Sequence, residues 1–194
     1  APVPAELRGT IDTPLTQLLW QGELSWPAIA LHALHGPWPA LTLAGAVRGS
    51  GTLNRMHTEG ELHSGYQGMH ADHRFAVDYD KGMVKIRRLT AALRESGANL
   101  TLHGTLTDLA KAPQAALEGE WQNLRWPLQG QALLLSKSGR FNLSGAVRHY
   151  QFHVAGDLAG ERLPAGTWSI SGEGGPQQLT VTQADAHILN GKLA

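Results

Sequence analysis

The sequence predicts an all-β protein built from one antiparallel meander with a single apolar face. Apolar and polar residues alternate in many short stretches, and successive side chains of a strand point to opposite faces of a sheet. Short turn sequences separate these stretches, and short turns join antiparallel neighbours. No stretch shows a convincing helical pattern. The apolar face must be covered, and a sandwich, a closed barrel or a curved open sheet would each achieve this.

Glycine recurs in the apolar register of these stretches. In the stretch from Phe141 to Val147, apolar residues occupy every other position and Gly145 takes one of those positions. A missing side chain lets a sheet bend sharply or lets another surface approach. The sequence therefore predicts a sheet that bends repeatedly along its length. The glycines that share this register are Gly22, Gly45, Gly104, Gly119, Gly145 and Gly172.

An internal duplication relates residues 24–48 to residues 124–148 without a gap. The shared residues include the Trp-Pro dipeptide and the Gly-Ala-Val-Arg segment. A long-period repeat is typical of arrays in which each unit buries its face against its neighbours. The identical pairs are Leu24/Leu124, Trp26/Trp126, Pro27/Pro127, Leu34/Leu134, Leu43/Leu143, Gly45/Gly145, Ala46/Ala146, Val47/Val147 and Arg48/Arg148.

In the first part of the chain, alternation predicts three strands. Leu7–Ile11 is a short alternating piece, and Leu18–Trp26 alternates well. We expect Pro27 to end that second strand or to place it at an edge, because proline cannot donate to a ladder. Residues 28–39 are irregular, and Leu41–Val47 is the first clean strand.

The middle of the chain predicts a weak strand and a hairpin. Thr58–Tyr66 alternates weakly, and His73–Tyr79 alternates clearly. Asp80–Gly82 is a turn sequence, and the apolar alternation resumes at Val84, which predicts a hairpin. In Arg87–Glu95 the apolar spacing also fits a helix, but the segment is short and uncapped, so we assign it as strand.

The second half repeats the clean alternation. Turns are predicted at Trp126–Pro127, Arg148–His149 and Gly174–Pro176. The whole chain then holds roughly a dozen strands of ordinary length. The strands predicted in this half are Leu100–Leu106, Ala115–Trp121, Phe141–Val147, Tyr150–Leu158, Trp168–Gly172 and Leu179–Val181.

Composition excludes several classes of function. Lys plus Arg equals Asp plus Glu at 16 each, so the formal net charge is zero and a nucleic-acid partner is not expected. The absence of cysteine rules out disulfides and thiolate metal sites. The sequence has no signal peptide and no apolar run of about 18 residues. It stops inside an alternating pattern, so we expect an internal segment of a longer protein.

The ten histidines raise the possibility of a metal site. His32/His35 and His70/His73 are spaced three apart, which puts their side chains on opposite faces of a strand. No cluster of carboxylates completes a ligand set for these pairs or for His149/His153. We interpret the histidines as solvent-facing and expect no metal and no cofactor. Nucleophile-elbow, phosphate-loop and zinc-helix motifs are absent, so no catalytic residue is predicted.

Two further sets of residues have alternative interpretations. Trp20, Trp26, Trp121 and Trp126 are expected to pack against the sheet at strand ends, with contact to sugar, headgroup or partner as the alternative. Arg48 and Arg148 follow the repeated strand at equivalent points. They either blunt a strand end, which we favour, or meet phosphate headgroups at the rim of a trough.

Several segments together resemble the TamB family. They are Trp121-Gln-Asn-Leu-Arg-Trp-Pro-Leu128, Gly139-Arg-Phe-Asn-Leu-Ser-Gly145, Tyr150, Leu163-Pro-Ala-Gly-Thr-Trp168, Leu189-Asn-Gly191 and Gly97-Ala-Asn-Leu-Thr-Leu-His-Gly104. The resemblance is good over residues 84–194 and loose over the first 80. This family is related to AsmA-like proteins and to lipid-transfer proteins built from repeating β-grooves.

The resemblance implies an elongated, curved antiparallel sheet folded into a half-pipe with a hydrophobic interior, also called a β-taco or β-groove. Residues 1–194 would form a single elongated segment of a larger periplasmic protein that is anchored in the inner membrane. The implied partners are phospholipid acyl chains and the outer-membrane barrel TamA, the latter through parts of the parent outside this chain. The implied function is non-enzymatic: lipid conduction between the two membranes and support of outer-membrane protein and autotransporter assembly.

The predicted groove lining consists of the apolar residues of the alternating stretches. Two alternatives stay open: a structural or adhesive β-solenoid, and a closed ligand-binding barrel. An isolated segment would also have unpaired edge strands that could self-associate. The predicted lining residues are Leu41, Leu43, Val47, Phe75, Val77, Tyr79, Val84, Ile86, Leu100, Leu102, Leu106, Leu117, Trp121, Phe141, Leu143, Val147, Phe152, Val154, Trp168, Ile170, Leu179 and Val181.

Overall fold

The computed structural model describes residues 5–12, 18–34, 39–146, 148–161, 163–188 and 191–193. These residues form thirteen strands in one sheet and one short helix, α1, at Leu31–Leu34. The strands are β1 Glu6–Asp12, β2 Leu19–Ala30, β3 Thr42–Gly51, β4 Arg55–Tyr66, β5 Met69–Asp80, β6 Met83–Leu93, β7 Asn99–Thr107, β8 Gln114–Trp126, β9 Leu134–Ala146, β10 His149–Gly160, β11 Leu163–Gly174, β12 Leu179–Ile188 and β13 Gly191–Leu193.

The strands follow one another across the sheet in chain order. Every pair of neighbours is antiparallel, from β1–β2 to β12–β13. Within the described residues, β1 pairs only with β2 and β13 pairs only with β12. The predicted all-β meander is therefore confirmed as an open, curved sheet. Neither the parallel coils of a β-solenoid nor a barrel closed by β1 and β13 is present in the described chain.

Tight turns explain why the central strands pair in register. In the β5–β6 turn, Lys81 and Gly82 have φ angles of 45° and 89°. In the β4–β5 turn, Gln67 and Gly68 have φ angles of 49° and 79°. Positive φ at both central residues is the type I′ geometry, whose twist matches that of the flanking strands. The hairpin predicted around Asp80–Gly82 is confirmed.

Strand β2 does not end at Pro27, and of the two outcomes predicted for this proline the structure agrees with the edge position. Strand β2 continues to Ala30, and its pairing with β3 shifts between Trp26 and Ile29. Strand β1 pairs with β2 only as far as Ser25, so the missing N–H of Pro27 faces no partner there. A bulge therefore accommodates the proline.

Two other segments resolve an ambiguity between helix and strand. Residues 87–93 belong to β6, which confirms the strand assignment for most of Arg87–Glu95. The four-residue helix α1 lies in the segment that the sequence left irregular. A single helical turn has too few residues to show the period of a helix.

Among the described residues, no second layer covers the sheet. The principal contacts join each strand only to its neighbours in the chain. The accessible surface is 13206 Å², whereas a compact monomer of 20.8 kDa would expose about 9,000 Å². Among the described residues, only Ala98, Trp121 and Ser136 are buried apart from a few glycines. Most apolar side chains are thus half-exposed on an open surface.

The sheet curls at the end where the β4–β5 turn meets the β8–β9 loop. Gln129 Nε2, in the loop between β8 and β9, donates a 2.8 Å hydrogen bond to the backbone oxygen of Gln67 in the β4–β5 turn. Strands in a flat sheet lie about 4.8 Å apart, so these two turns would be about 19 Å apart across four strand spacings. We call this contact the loop–turn bridge. The buried Ala98 and Trp121 lie in the strands between the two bridged turns or at their ends.

Candidate functional site

One continuous row of apolar residues crosses the sheet perpendicular to its strands. Cross-strand partners lie on the same face, so the pairing defines the row directly. It includes no polar side chain over twelve successive strands. We call it the central row, and it comprises Leu7, Leu24, Val47, Gly60, Phe75, Leu89, Leu102, Gly119, Phe141, Val154, Ile170 and Ala184.

Two rows flank the central row, each two residues away along the strand, except that register shifts place the first row three residues away on β6 and β12. The first has one polar residue, Thr58, and contains Gly9, Gly22, Gly49, Thr58, Val77, Ile86, Gly104, Leu117, Leu143, Phe152, Gly172 and Val181. The second also has one polar residue, His73, and contains Trp26, Gly45, Leu62, His73, Ala91, Leu100, Trp121, Gly139, Gly156, Trp168, Ala186 and Leu193.

The register places all but two of the predicted lining residues on this apolar face. Tyr79, Val84, Leu106 and Leu179 belong to a further row beyond the first flanking row, and Leu43 lies beyond the second. Leu41 precedes β3 and has no cross-strand partner there. Val147 lies outside the described residues.

Sequence reasoning missed several members of these rows. Leu7, Leu24, Leu62 and Leu89 complete the face but were not predicted to line it. Alternation was visible around Leu7 and Leu24. Leu89 was hidden by a shift of register between Ile86 and Leu89, which breaks the period of two.

Aromatic rings lie over glycines of neighbouring strands. A Cβ added at Gly60 would fall 2.8 Å from the Phe75 ring, and one added at Gly119 would fall 2.5 Å from the Phe141 ring. Phe152 covers Gly172 and Tyr150 covers Gly174 in the same way. The glycines therefore provide clearance for rings that lie across the sheet, which gives the apolar face a low and even surface.

The longest of these arrangements joins four strands. Trp121 on β8 covers Gly139 on β9 and Gly156 on β10, and its ring stacks on Trp168 of β11 with centroids 6.3 Å apart. The indole Nε1 donates a 2.8 Å hydrogen bond to Ser136 Oγ, which donates in turn to Asp157 Oδ1. Trp121 thus packs against the sheet as expected, but in the interior of β8 and not at a strand end. Trp126 does not pack in this way, since it is 64% exposed.

The opposite face carries the charged residues. Arg8, Glu23, Arg48 and Glu59 follow one another across β1–β4 with alternating sign. Opposite charges on adjacent strands stabilise a sheet modestly. Arg48 lies 4.0 Å from Glu59 on this face, so it does not line the apolar one. A shallow depression of about 670 Å³ on the polar side includes Arg74 in its lining.

Several histidines pair with carboxylates. His57 Nδ1 lies 2.7 Å from Asp78, and His63 Nδ1 lies 2.5 Å from Asp72. A hydrogen bond with His57 lowers the pKa of the Asp78 carboxyl, with a further contribution from Arg87. Hydrogen bonds from Arg94 and His63 hold the pKa of Asp72 well below its usual range. These carboxylates therefore stay ionised and keep the polar face hydrated.

The described residues contain no group of three histidine, cysteine or carboxylate side chains placed to hold a metal ion. Nor does any helix in the described part of the chain have the length and apolar character needed to cross a bilayer. The feature that distinguishes this molecule is the apolar face itself.

An open antiparallel sheet with one continuous apolar face and one charged face defines a protein of the β-groove class. A family model described as the N-terminal domain of TamB matches residues 69–194. The chain belongs to the TamB family. No curated protein and no solved structure matches the chain.

Proposed function

We propose that the apolar face shields phospholipid acyl chains in transit between the inner and outer membranes. The observation that supports this most strongly is the central row, which stays apolar over twelve strands of a chain that belongs to the TamB family. The chain would act in the periplasm as part of an inner-membrane-anchored parent. That parent would contact the barrel partner TamA elsewhere and support assembly of outer-membrane proteins.

The energetics favour binding along the face without a single strong site. Removing an acyl chain from water gains about 0.8 kcal/mol for each CH₂ group. Every position of the central row is an apolar side chain or a glycine, so an acyl chain that shifts by one strand meets another position without a polar side chain. Rings that lie over Gly60 and Gly119 leave few steps in the surface. This arrangement favours sliding of an acyl chain along the apolar face over tight binding at one position.

A non-enzymatic role agrees with the distribution of reactive groups. The carboxylates and histidines of β4–β6 pair with one another or with arginines on the polar face or at its edge. In the described residues, the apolar face offers a lipid no nucleophile with an adjacent general base other than Ser64, whose Oγ lies 2.9 Å from His73 Nε2.

Site-specific photo-crosslinking tests the proposal. Benzoylphenylalanine would be placed at Leu102, Leu143 or Ile170 in the full-length parent in cells, with Thr101 and Ser144 as controls on the opposite face. We expect lipid adducts by mass spectrometry at the three apolar positions and at least tenfold fewer at the controls. Equal labelling of both faces would contradict the proposal.

A further inference from the structure

A polar pair interrupts the apolar face near one end of β4 and β5. His73 lies in the second flanking row between Leu62 and Ala91. Its Nε2 is 2.9 Å from Ser64 Oγ, and both side chains are half-buried. A polar group among apolar side chains has a desolvation cost that only hydrogen bonds offset. Leucine or alanine occupies the neighbouring positions of the row, so a histidine here needs a reason.

The pair lies beside the path that an acyl chain would follow. His73 is two residues from Phe75 of the central row, which corresponds to about 7 Å along a strand. Ser64 is displaced further in the same direction, towards the turn at Gln67 and Gly68. A lipid whose tails lie on the central row would therefore place its headgroup near the end of β4 and β5, at the rim of the apolar face.

The chemistry of the pair suits a phosphodiester. An imidazole offers one N–H donor when neutral and two when protonated, and a serine hydroxyl offers one more. Phosphate oxygens accept such bonds. The charged neighbours of His73 in sequence lie on the other face, where Asp72 pairs with Arg94 and Arg74 pairs with Glu61. No ionised carboxylate from these neighbours opposes an anion beside His73.

We propose that Ser64 and His73 bind the phosphodiester headgroup of a lipid whose tails lie on the central row. The site would hold the headgroup at the rim while the tails stay on the apolar surface. This inference rests on the proposed function, because it requires acyl chains on the apolar face.

The sheet contains a matched pair on the opposite face. His153 Nδ1 lies 2.8 Å from Ser171 Oγ, and these two residues are cross-strand partners on β10 and β11. The pair has the same two functional groups and is also half-buried. It lies beside charged and polar residues, so an acyl chain would not lie next to it. His153→Leu is therefore the control for His73→Leu.

Calorimetric titration of the 194-residue chain tests the headgroup site. The probes are dodecylphosphocholine, dodecyl maltoside with the same acyl length but no phosphate, and inorganic phosphate, with both detergents below their micellar concentrations. We expect His73→Leu to weaken dodecylphosphocholine binding about tenfold and Ser64→Ala to weaken it several-fold, as loss of hydrogen bonds to a charged group predicts. Maltoside binding and the His153→Leu variant should be unchanged.

The outcomes separate the two proposals. Unchanged dodecylphosphocholine affinity in both His73→Leu and Ser64→Ala would overturn the headgroup site and leave acyl binding intact. Absence of binding for both detergents would overturn the proposed function itself. Binding of inorganic phosphate that His73→Leu abolishes would show a free-anion site and overturn the assignment to a lipid. If circular dichroism shows that His73→Leu does not fold, the dodecylphosphocholine affinity of Ser64→Ala is the test of the headgroup site.

Discussion

Gly139 shows what an apolar-register glycine contributes to this sheet. A Cβ at Gly139 would lie 1.9 Å from Cζ2 of Trp121, a distance that no real contact allows. The ring is held by its hydrogen bond to Ser136 and by its stacking on Trp168, so it has little room to move. The φ angle of Gly139 is not in the left-handed region, so its backbone conformation does not require glycine. What requires glycine here is the space that the Trp121 ring occupies.

We expect Gly139→Ala to destabilise the fold by about 1–3 kcal/mol, because the Trp121 ring must shift out of a packed position. The measurement is the midpoint of urea unfolding, followed by circular dichroism. Gly22→Ala is the matched control. An added Cβ there meets only the Arg8 oxygen at 3.4 Å, an ordinary contact. Equal losses in the two variants would show that the ring is not the cause.

At this scale the sequence predicts that glycines in the apolar register allow bending or a close approach, but it does not identify the rings that approach them. Gly119 and Gly145 are recognised by their register alone. Phe141 covers Gly119 because pairing places them opposite each other on β9 and β8. That partnership depends on the length of the intervening loop and on the bulges, which alternation does not reveal.

The loop between β8 and β9 is the element that shapes one end of the sheet. Its Gln129 side chain donates a hydrogen bond to the turn at Gln67, 62 residues earlier in the chain. In the sheet, β6 and β7 lie between the two contacting turns. Beneath this bridge, Ala98 is only 5% exposed. The end of the sheet where the loop–turn bridge forms therefore includes a buried residue.

Gln129→Ala removes the side-chain donor of this bridge and leaves the accepting backbone oxygen in place. We expect faster hydrogen exchange in the β4–β5 turn and in residues 127–133, with a stability loss of about 1 kcal/mol. Hydrogen-exchange mass spectrometry measures the change. Gln131→Ala, an exposed position in the same loop, is the control. If both variants exchange alike, the bridge does not hold the loop.

Elements were predicted best where a local rule governs them. The Lys81–Gly82 turn and the strands around it follow from turn chemistry and alternation. Pro27 could end its strand or lie at an edge, and the sequence could not choose between the two because the choice depends on where β1 stops pairing, which is at Ser25. The contact of Gln129 with Gln67 has no local signal, since it arises from curvature summed over four strand spacings.

The duplication of residues 24–48 in residues 124–148 stays a prediction. The shared Trp-Pro dipeptides fall within β2 and at the end of β8, and the shared glycines fall in β3 and β9. Cross-strand partners differ, since Gly45 lies opposite Trp26 whereas Gly145 lies opposite Ala115. We propose that the repeat conserves a strand pattern while each hairpin sets its own register.

For the whole molecule, the two edges of the sheet are the main liability. Strand β1 is exposed throughout, with Leu7 at 76% and Ile11 at 72%. An exposed apolar edge strand is a template for pairing with a second copy. Since the principal strand contacts are between sequential neighbours, β2 is the only strand that holds β1 in the described part of the chain.

We expect the chain to self-associate through β1 at high concentration and Ile11→Lys to reduce that association at least several-fold. A lysine on an edge strand opposes edge-to-edge pairing. Sedimentation velocity over a range of concentrations measures the effect. Leu53→Lys is the control, because Leu53 is equally exposed at 77% but lies between β3 and β4. A strictly monomeric wild type would contradict the expectation.

The central row also makes the length of the apolar path depend on the number of strands in the sheet. The row runs across the strands, so each added hairpin lengthens the apolar path by about 9–10 Å and needs no new kind of contact. The twelve strands that the central row crosses correspond to roughly 53 Å of path before curvature is considered. In a protein built this way, the distance spanned is set by the number of hairpins, and evolution can adjust it by inserting or deleting them in pairs of strands.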